Sequence, residues 1–187
     1  TSHWFGESAN PPTSRWRAED DGSHERQGQK VTHPAGDHRV HQAFERFRQH
    51  STRNSPAEEI LLPLVEALCW AVSADEELSK DDNGGKNQKY LDDRQKDPDG
   101  QLLPAIRYAR NRYGHQRALV IEKHNARTYP RRYPSAYVTI KWRPAAQLPH
   151  GDQPQHNLGQ QDYETHLEGR RAEDTLERVA AWFAKQP

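Results

Sequence analysis

The sequence predicts a mainly α fold: a four-helix bundle with one short, irregular insertion that contains β-structure. Four segments carry apolar side chains at the spacing of a helix that is buried on one side. Five prolines between residues 125 and 160 exclude a long helix there, and a short run of β-forming residues lies among them. Only 32% of the 187 residues are hydrophobic, which indicates that part of the chain lies outside any core.

Residues 1–35 are predicted to form an irregular N-terminal arm, and residues 36–187 the helical domain. The arm contains prolines and glycines and shows little apolar periodicity. Trp4, Phe5 and Trp16 are the exceptions, and they would anchor the arm on the body of the protein or on a second subunit.

The first two helices are predicted over residues 37–50 and from Ser55–Pro56 to about Leu78. The first has an apolar stripe at i, i+4 and i+7, formed by Val40, Phe44 and Phe47. The second is the most apolar element and should form the centre of the core, with Pro63 either kinking it or marking its true start. Cys69 has apolar neighbours in the sequence and is expected to be a buried, unreactive thiol.

The second half of the chain is predicted to hold a loop, two helices and the insertion. Residues 79–99 are polar, acidic and glycine-containing, which favours a loop. A third helix is expected from Asp97–Pro98, or just after Gly100, to about Lys123, and a fourth over residues 161–185. A short strand or hairpin is expected at residues 137–142, inside the insertion of residues 125–160. The two helices have these apolar stripes: Leu102, Ile106, Ala109, Tyr113 and Val120; and Ala172, Leu176, Val179 and Phe183.

Charge is balanced over the chain but segregated along it. Lys+Arg and Asp+Glu both number 27, which excludes a histone-like or acidic-tail protein. Residues 107–143 nevertheless hold ten basic residues and one acidic residue, Glu122. Aromatic residues lie among them, so this block suits RNA, because arginine and lysine neutralise phosphates and aromatic rings stack on bases. The alternative is a solvated face that pairs with the acidic segments of the same fold. The aromatic residues of the block are Tyr108, Tyr113, Tyr129, Tyr133, Tyr137 and Trp142.

The sequence offers few other kinds of site. One cysteine excludes an internal disulfide and a four-cysteine zinc site. No apolar run approaches the roughly 18 residues of a membrane span, and the first residues do not resemble a signal peptide, so we expect a cytoplasmic protein without a membrane partner. No cofactor or metal is expected. The histidines and aspartates that lack the spacing of a zinc or calcium site are His24, His33, His38, His41, His50, Asp92, Asp93, Asp97 and Asp99.

The third helix carries the residues best suited to chemistry. Measured around the helix from its apolar stripe, Arg107 lies about 140° away, Asn111 about 180° and His115 about 220°. His115 should therefore point away from the core, with Asn111 beside it on one ridge. A histidine exchanges protons near neutral pH, and an arginine binds phosphate and stabilises the extra charge of its transition state. The alternative is an exposed polar face without a function.

The run Arg110-Asn111-Arg112-Tyr113-Gly114-His115 resembles the Arg-polar-x-x-x-His signature of the higher eukaryotes and prokaryotes nucleotide-binding (HEPN) superfamily. Members of that superfamily are small helical bundles with this motif on a late helix. Many are metal-independent ribonucleases of toxin–antitoxin, abortive-infection and CRISPR systems, and they act as dimers whose motifs face each other. Others are inactive or bind nucleotides. The resemblance implies Arg110 and His115 as catalytic residues and Asn111 as the supporting polar residue.

The helical geometry points to a dimer independently. Arg110 and His115 are separated by about 140° around the axis, so one helix does not aim both side chains at one phosphate. Two antiparallel copies would combine the pairs in a cleft between subunits.

The sequence thus predicts a dimeric, metal-independent endoribonuclease that uses the RNA 2′-hydroxyl as nucleophile. The expected partners are RNA, a second copy of the chain, and an antitoxin or another regulatory protein. The alternatives are a non-catalytic module of the same fold that binds RNA, a nucleotide or a protein, and a purely structural helical dimer. Six basic residues are predicted to bind RNA: Arg107, Arg112, Arg131, Arg132, Lys141 and Arg143.

Overall fold

Helices dominate the computed structural model, which describes residues 35–51, 55–125, 138–151 and 157–186. The mainly α fold with a short β-element is confirmed. All described residues belong to one compact unit, His33–Pro187. The predicted N-terminal arm lies outside the described residues, apart from Ala35. The helices, in chain order, are α1 (Ala35–Ser51), α2 (Ala57–Leu78), α3 (Gln88–Lys96), α4 (Leu102–Gln116), α5 (Gln160–His166) and α6 (Ala172–Phe183).

Four helices of twelve or more residues, α1, α2, α4 and α6, pack against one another as the predicted bundle requires. The helix α2 contacts the other three, and α1 also packs on α6. The predicted stripes of α1 and α6 are buried in full, which confirms the helical periodicity on which they were assigned. These buried residues are Val40, Phe44, Phe47, Ala172, Leu176, Val179 and Phe183.

The second helix begins at Ala57, with Pro56 as the residue that precedes it. Pro63 therefore lies inside the helix and does not mark its start. The expectation that Cys69 is buried is wrong, because its side chain is exposed on α2. Leu62, seven residues earlier and so on the same side of the helix, is also exposed.

The predicted loop at residues 79–99 contains a further helix, α3. The side chain of Asn87 caps it by accepting a hydrogen bond from the backbone N–H of Tyr90 at 3.2 Å. Tyr90 is buried, and its ring lies 6.0 Å from that of Trp182 in α6. Tyr90 and the partly buried Leu91 are the only apolar residues of this helix, so a periodicity search has no repeating stripe to find there.

The third predicted helix is too long, because α4 ends at Gln116. Arg117 adopts a left-handed conformation with φ 50°, and its N–H donates to the Tyr113 carbonyl. The residues after it form a strand, β1 (Ile121–Asn125), instead of two more helical turns. Val120 is buried as predicted, but it precedes β1, and Tyr113 is only half-buried.

A two-stranded antiparallel sheet joins β1 to β2 (Val138–Trp142), which confirms the strand predicted at residues 137–142. Ile121 pairs with Trp142, and both are buried. The indole N–H of Trp142 donates to the Thr175 hydroxyl of α6 at 3.1 Å, so the sheet is fixed to the bundle. A 3₁₀ turn follows at Ala145–Gln147.

The last predicted helix is divided into α5 and α6. Gly169 between them has φ 71°, a conformation that glycine adopts without strain. Its N–H donates to the Trp142 carbonyl, and the Trp142 N–H donates to the Arg170 carbonyl. The chain leaves the helical path here because it pairs with the free edge of β2.

Asp97 and Asp99 fasten the segment before α4 to the C-terminal end of the chain. Arg178 contacts Asp99 at 2.7 Å, and Lys185 contacts both aspartates at 3.3 Å. Both carboxylates are therefore ion-paired, and they lie in the turn between α3 and α4. The backbone N–H of Asp99, and then Lys185, lower the pKa of Asp97 below its ordinary value.

A lowered pKa predicts how the contribution of Asp97 to stability depends on pH. The Asp97 carboxylate binds a proton less tightly in the folded protein than in the unfolded chain. Its contribution to the free energy of unfolding is therefore present above about pH 4 and is lost as the pH falls through the lowered pKa. Asp97→Asn should therefore reduce the free energy of unfolding at pH 7, and the difference from the parent should vanish in acid. Urea unfolding at pH 7 and at pH 3 measures it. A difference that is the same at both pH values would contradict the assignment.

Candidate functional site

The predicted motif lies on the outer face of α4. Arg110 and Asn111 are half-buried, and Gly114 and His115 are exposed, so His115 does point away from the core. Among the described residues, nothing lies within 4 Å of a Cβ atom placed on Gly114.

His115 lies in the last turn of α4, one residue before the helix ends. The next residue, Gln116, donates from its side-chain amide to the His150 carbonyl at 2.7 Å. The segment around His150 thus runs beside the C-terminal end of α4. The motif spans the width of the exposed face, and its histidine and arginine lie towards opposite borders.

A buried carboxylate on α2 organises the arginines of the neighbouring helices. Asp75 is only 1% exposed, and Arg94 of α3 donates to its two oxygens at 2.7 and 2.8 Å. Arg107 of α4 donates to it at 3.0 Å, and the hydroxyl of Tyr90 at 2.9 Å. Burial, and then the charge of Asp75, raise the pKa of Tyr90 well above its ordinary value. Tyr90 therefore remains a neutral hydrogen-bond donor.

Glu76, the residue after Asp75, contacts α4 from the surface of the protein. One of its carboxylate oxygens, Oε1, lies 2.9 Å from Arg107 and 3.8 Å from Arg110. Arg107, predicted to bind RNA, thus bridges a buried and an exposed carboxylate. Arg110, predicted to be catalytic, lies at the edge of the same group. The structure brings these two arginines together.

The sequence contains a signal for Asp75, although the predicted site does not include it. Asp75 continues the buried stripe of α2 formed by Leu64, Leu68 and Ala71, at helical spacing. A carboxylate at a core position must have charged or hydrogen-bonding partners, because an unpaired buried charge is very costly. That rule identifies Asp75 as part of a network but does not name its partners.

Arg112 lies in the interior, although its sequence position predicts RNA binding. It is 2% exposed, and its guanidinium group lies 4.5 Å from the centre of the Tyr108 ring. It donates to the Pro149 carbonyl at 3.0 Å and to the Asn157 side chain at 2.6 Å. Arg112 therefore holds the segments on either side of residues 152–156 against α4, and in this fold it is not accessible to RNA.

The other predicted RNA-binding residues are distributed over the sheet. Arg143 is half-buried and donates to the Ile121 carbonyl at 3.1 Å. Lys141 lies on β2 directly opposite Glu122 of β1. Arg131 and Arg132 lie outside the described residues. Within the described part, the insertion therefore adds no basic side chain to the face of α4.

Two of the aromatic residues proposed for base stacking belong to the core. Tyr108 is 2% exposed and Trp142 is fully buried. Both rings pack against Tyr163, at 5.2 and 6.4 Å between centroids. The expectation that these two rings stack on RNA bases is wrong.

The described residues include no group of three or more His, Cys, Asp or Glu side chains that could hold a metal ion. None of the helices in the described ranges is long and apolar enough to cross a membrane.

Comparisons with protein-family models, with curated proteins and with solved structures found no match. The relation to the HEPN superfamily therefore rests on the run Arg110–His115 alone, and it stays a prediction.

The network around Asp75 predicts a difference between two neighbouring carboxylates. Asp75→Asn should lower the free energy of unfolding by about 1–3 kcal/mol, because it removes a buried acceptor shared by two arginines and a tyrosine. The loss stays below that of a fully buried pair because both arginines reach solvent. Glu76→Gln should change it by no more than about 0.5 kcal/mol, as is usual for exposed positions. Urea unfolding of both variants tests this, and equal losses would contradict it.

Proposed function

We propose that this chain is a metal-independent endoribonuclease of the HEPN type that acts as a homodimer. The observation that supports this most is the outer face of α4, where an exposed imidazole, a carboxamide and two arginines lie on one helix. Carboxylates of α2 hold Arg107 through hydrogen bonds, and Glu76 lies 3.8 Å from Arg110. An arginine and a proton-transfer group that meet at one phosphate are the equipment that phosphodiester cleavage without a metal requires.

The proposed reaction is a transesterification within RNA. One His115 removes the proton of a ribose 2′-hydroxyl, and the 2′-oxygen attacks the adjacent phosphorus. The bond from phosphorus to the 5′-oxygen breaks, and that oxygen takes up a proton. Arg110 stabilises the additional negative charge of the pentacoordinate phosphate, and Asn111 orients the imidazole or the substrate. The products carry a 2′,3′-cyclic phosphate and a free 5′-hydroxyl.

A dimer completes this site. Arg110 leans towards Glu76 on α2, whereas His115 lies about 140° further round α4. A second copy placed antiparallel on this face would bring its His115 towards the first copy's Arg110. Each phosphate would then receive an arginine from one protomer and a histidine from the other.

We further propose a biological setting of the kind in which such nucleases act, a toxin–antitoxin or antiviral defence system in the cytoplasm. A nuclease that cuts cellular RNA needs a restraint, so an antitoxin or another regulatory protein is the expected partner. The undescribed basic segment with Arg131 and Arg132 would bind RNA rather than take part in chemistry.

Loss of His115 tests the chemistry. His115→Ala should reduce the single-turnover rate of RNA cleavage in EDTA by about 10²–10⁴, because it removes general acid–base catalysis. Arg110→Ala should also remove most activity, and Asn111→Ala should have a milder effect. His41→Ala, the same change at an exposed position of α1, should leave the rate unchanged.

Two outcomes would contradict this assignment. If His115→Ala cuts RNA as fast as the parent, the catalytic residues are wrong. If the parent cuts no RNA but binds it through this face of α4, the chain is a binding module of the same fold.

Assembly can be tested separately. We predict that sedimentation at micromolar concentration gives the mass of two chains, each of 21.6 kDa. A monomer under these conditions would remove the two-chain site, because neither α4 helix alone directs Arg110 and His115 at one phosphate.

A further inference from the structure

Two arginines of α4 converge on a single carboxylate oxygen. Arg107 Nη1 lies 2.9 Å and Arg110 Nη2 lies 3.8 Å from Oε1 of Glu76. An anionic oxygen at that point is therefore within reach of both guanidinium groups. A phosphate oxygen has the same charge and the same hydrogen-bonding capacity as the carboxylate oxygen that is there now.

Arg107 is divided between two carboxylates in a way that orients it. Its Nη2 donates to buried Asp75 at 3.0 Å, and its Nη1 donates to exposed Glu76 at 2.9 Å. If the Glu76 carboxylate moves away, the bond to Asp75 remains. Nη1 then still points at the position that Glu76 has left, so the site needs no rearrangement to accept another anion.

Arg110 is held by charge and not by a hydrogen bond. The 3.8 Å separation from Glu76 exceeds the hydrogen-bond range, and Arg110 donates no hydrogen bond to any other described residue. Its side chain is 31% exposed and that of Glu76 is 46% exposed. Ion pairs this exposed contribute little to stability, so Glu76 can turn into solvent at small cost.

From these contacts we infer that Glu76 is an internal counter-ion, which occupies the place of an RNA phosphate between Arg107 and Arg110 and which the phosphate displaces on binding. This inference rests on the proposed function for the identity of the ligand. It makes Arg107 a second phosphate-binding residue beside Arg110. It also gives Glu76 a defined effect: the carboxylate competes with RNA and lowers the affinity of the resting site.

The test compares two neighbouring glutamates. Glu77 lies next to Glu76, is exposed, and has no ion pair among the described residues; it projects about 100° further round α2. Glu76→Gln and Glu77→Gln remove the same charge from almost the same place. The probe is a fluorescent single-stranded RNA with 2′-O-methyl riboses, which cannot be cleaved by 2′-oxygen attack. Fluorescence anisotropy over a series of salt concentrations gives its affinity.

Glu76→Gln should bind this RNA about two- to fivefold more tightly than the parent, and Glu77→Gln should bind it nearly as the parent does. For Glu76→Gln, the slope of the salt dependence should stay close to that of the parent, because the same two arginines contact phosphate in both proteins once Glu76 has been displaced. In an Arg110→Gln background, part of the gain from Glu76→Gln should disappear, and the part that comes from Arg107 should remain. Equal gains for the two glutamate variants, no gain for Glu76→Gln, or a gain that persists in full without Arg110 would each overturn the inference.

The binding assay is independent of cleavage, so the two proposals can fail separately. A gain specific to Glu76→Gln in a protein that cuts no RNA would support the counter-ion and overturn the nuclease. Cleavage by the parent, without a gain for Glu76→Gln, would overturn the counter-ion and leave the nuclease in place.

Discussion

The buried carboxylate of Asp75 is the interaction on which the arrangement of α2, α3 and α4 depends. A charge removed from water in this way must be compensated, and Arg94, Arg107 and Tyr90 together supply the donors. Trp182 of α6 packs on Tyr90 and directs its indole N–H at the tyrosine oxygen, 3.4 Å away. One acidic group thus links the short helix α3 to α4, the helix that carries the proposed active site. Its strength comes from low exposure and from the number of donors, not from an isolated ion pair.

The same group determines what α4 presents to solvent. Asp75 contacts one nitrogen of the Arg107 guanidinium group. Glu76 contacts the other terminal nitrogen and also lies close to Arg110. Arg112, by contrast, is directed inwards, where it holds the backbone near Pro149 and the side chain of Asn157. Three arginines within six residues therefore have three different roles. The outer face is left with two arginines, an amide and a histidine, and these are the groups that the proposed phosphate chemistry uses.

Local patterns in the sequence were sufficient to locate α1, α2, the β2 strand and the exposed position of His115, but not the end of α4 or the break between α5 and α6. They failed where a distant contact decides the structure. The helix α3 depends on Tyr90 reaching Asp75 and Trp182, and the burial of Arg112 depends on partners about forty residues away. The end of α4 at Arg117 has neither glycine nor proline to mark it, because an arginine adopts the left-handed conformation there. Cys69 has apolar neighbours in the sequence, yet it lies on the exposed side of α2.

The proposed mechanism requires that Arg110 of one protomer and His115 of another serve the same phosphate. Mixing the Arg110→Ala and His115→Ala variants tests it directly. About half of randomly mixed dimers are heterodimers, and each has one site with both residues intact, so the mixture should recover about a quarter of the parent cleavage rate. Native mass spectrometry confirms that the heterodimers form. If they form and the mixture stays as inactive as each variant alone, the two residues do not act across the interface.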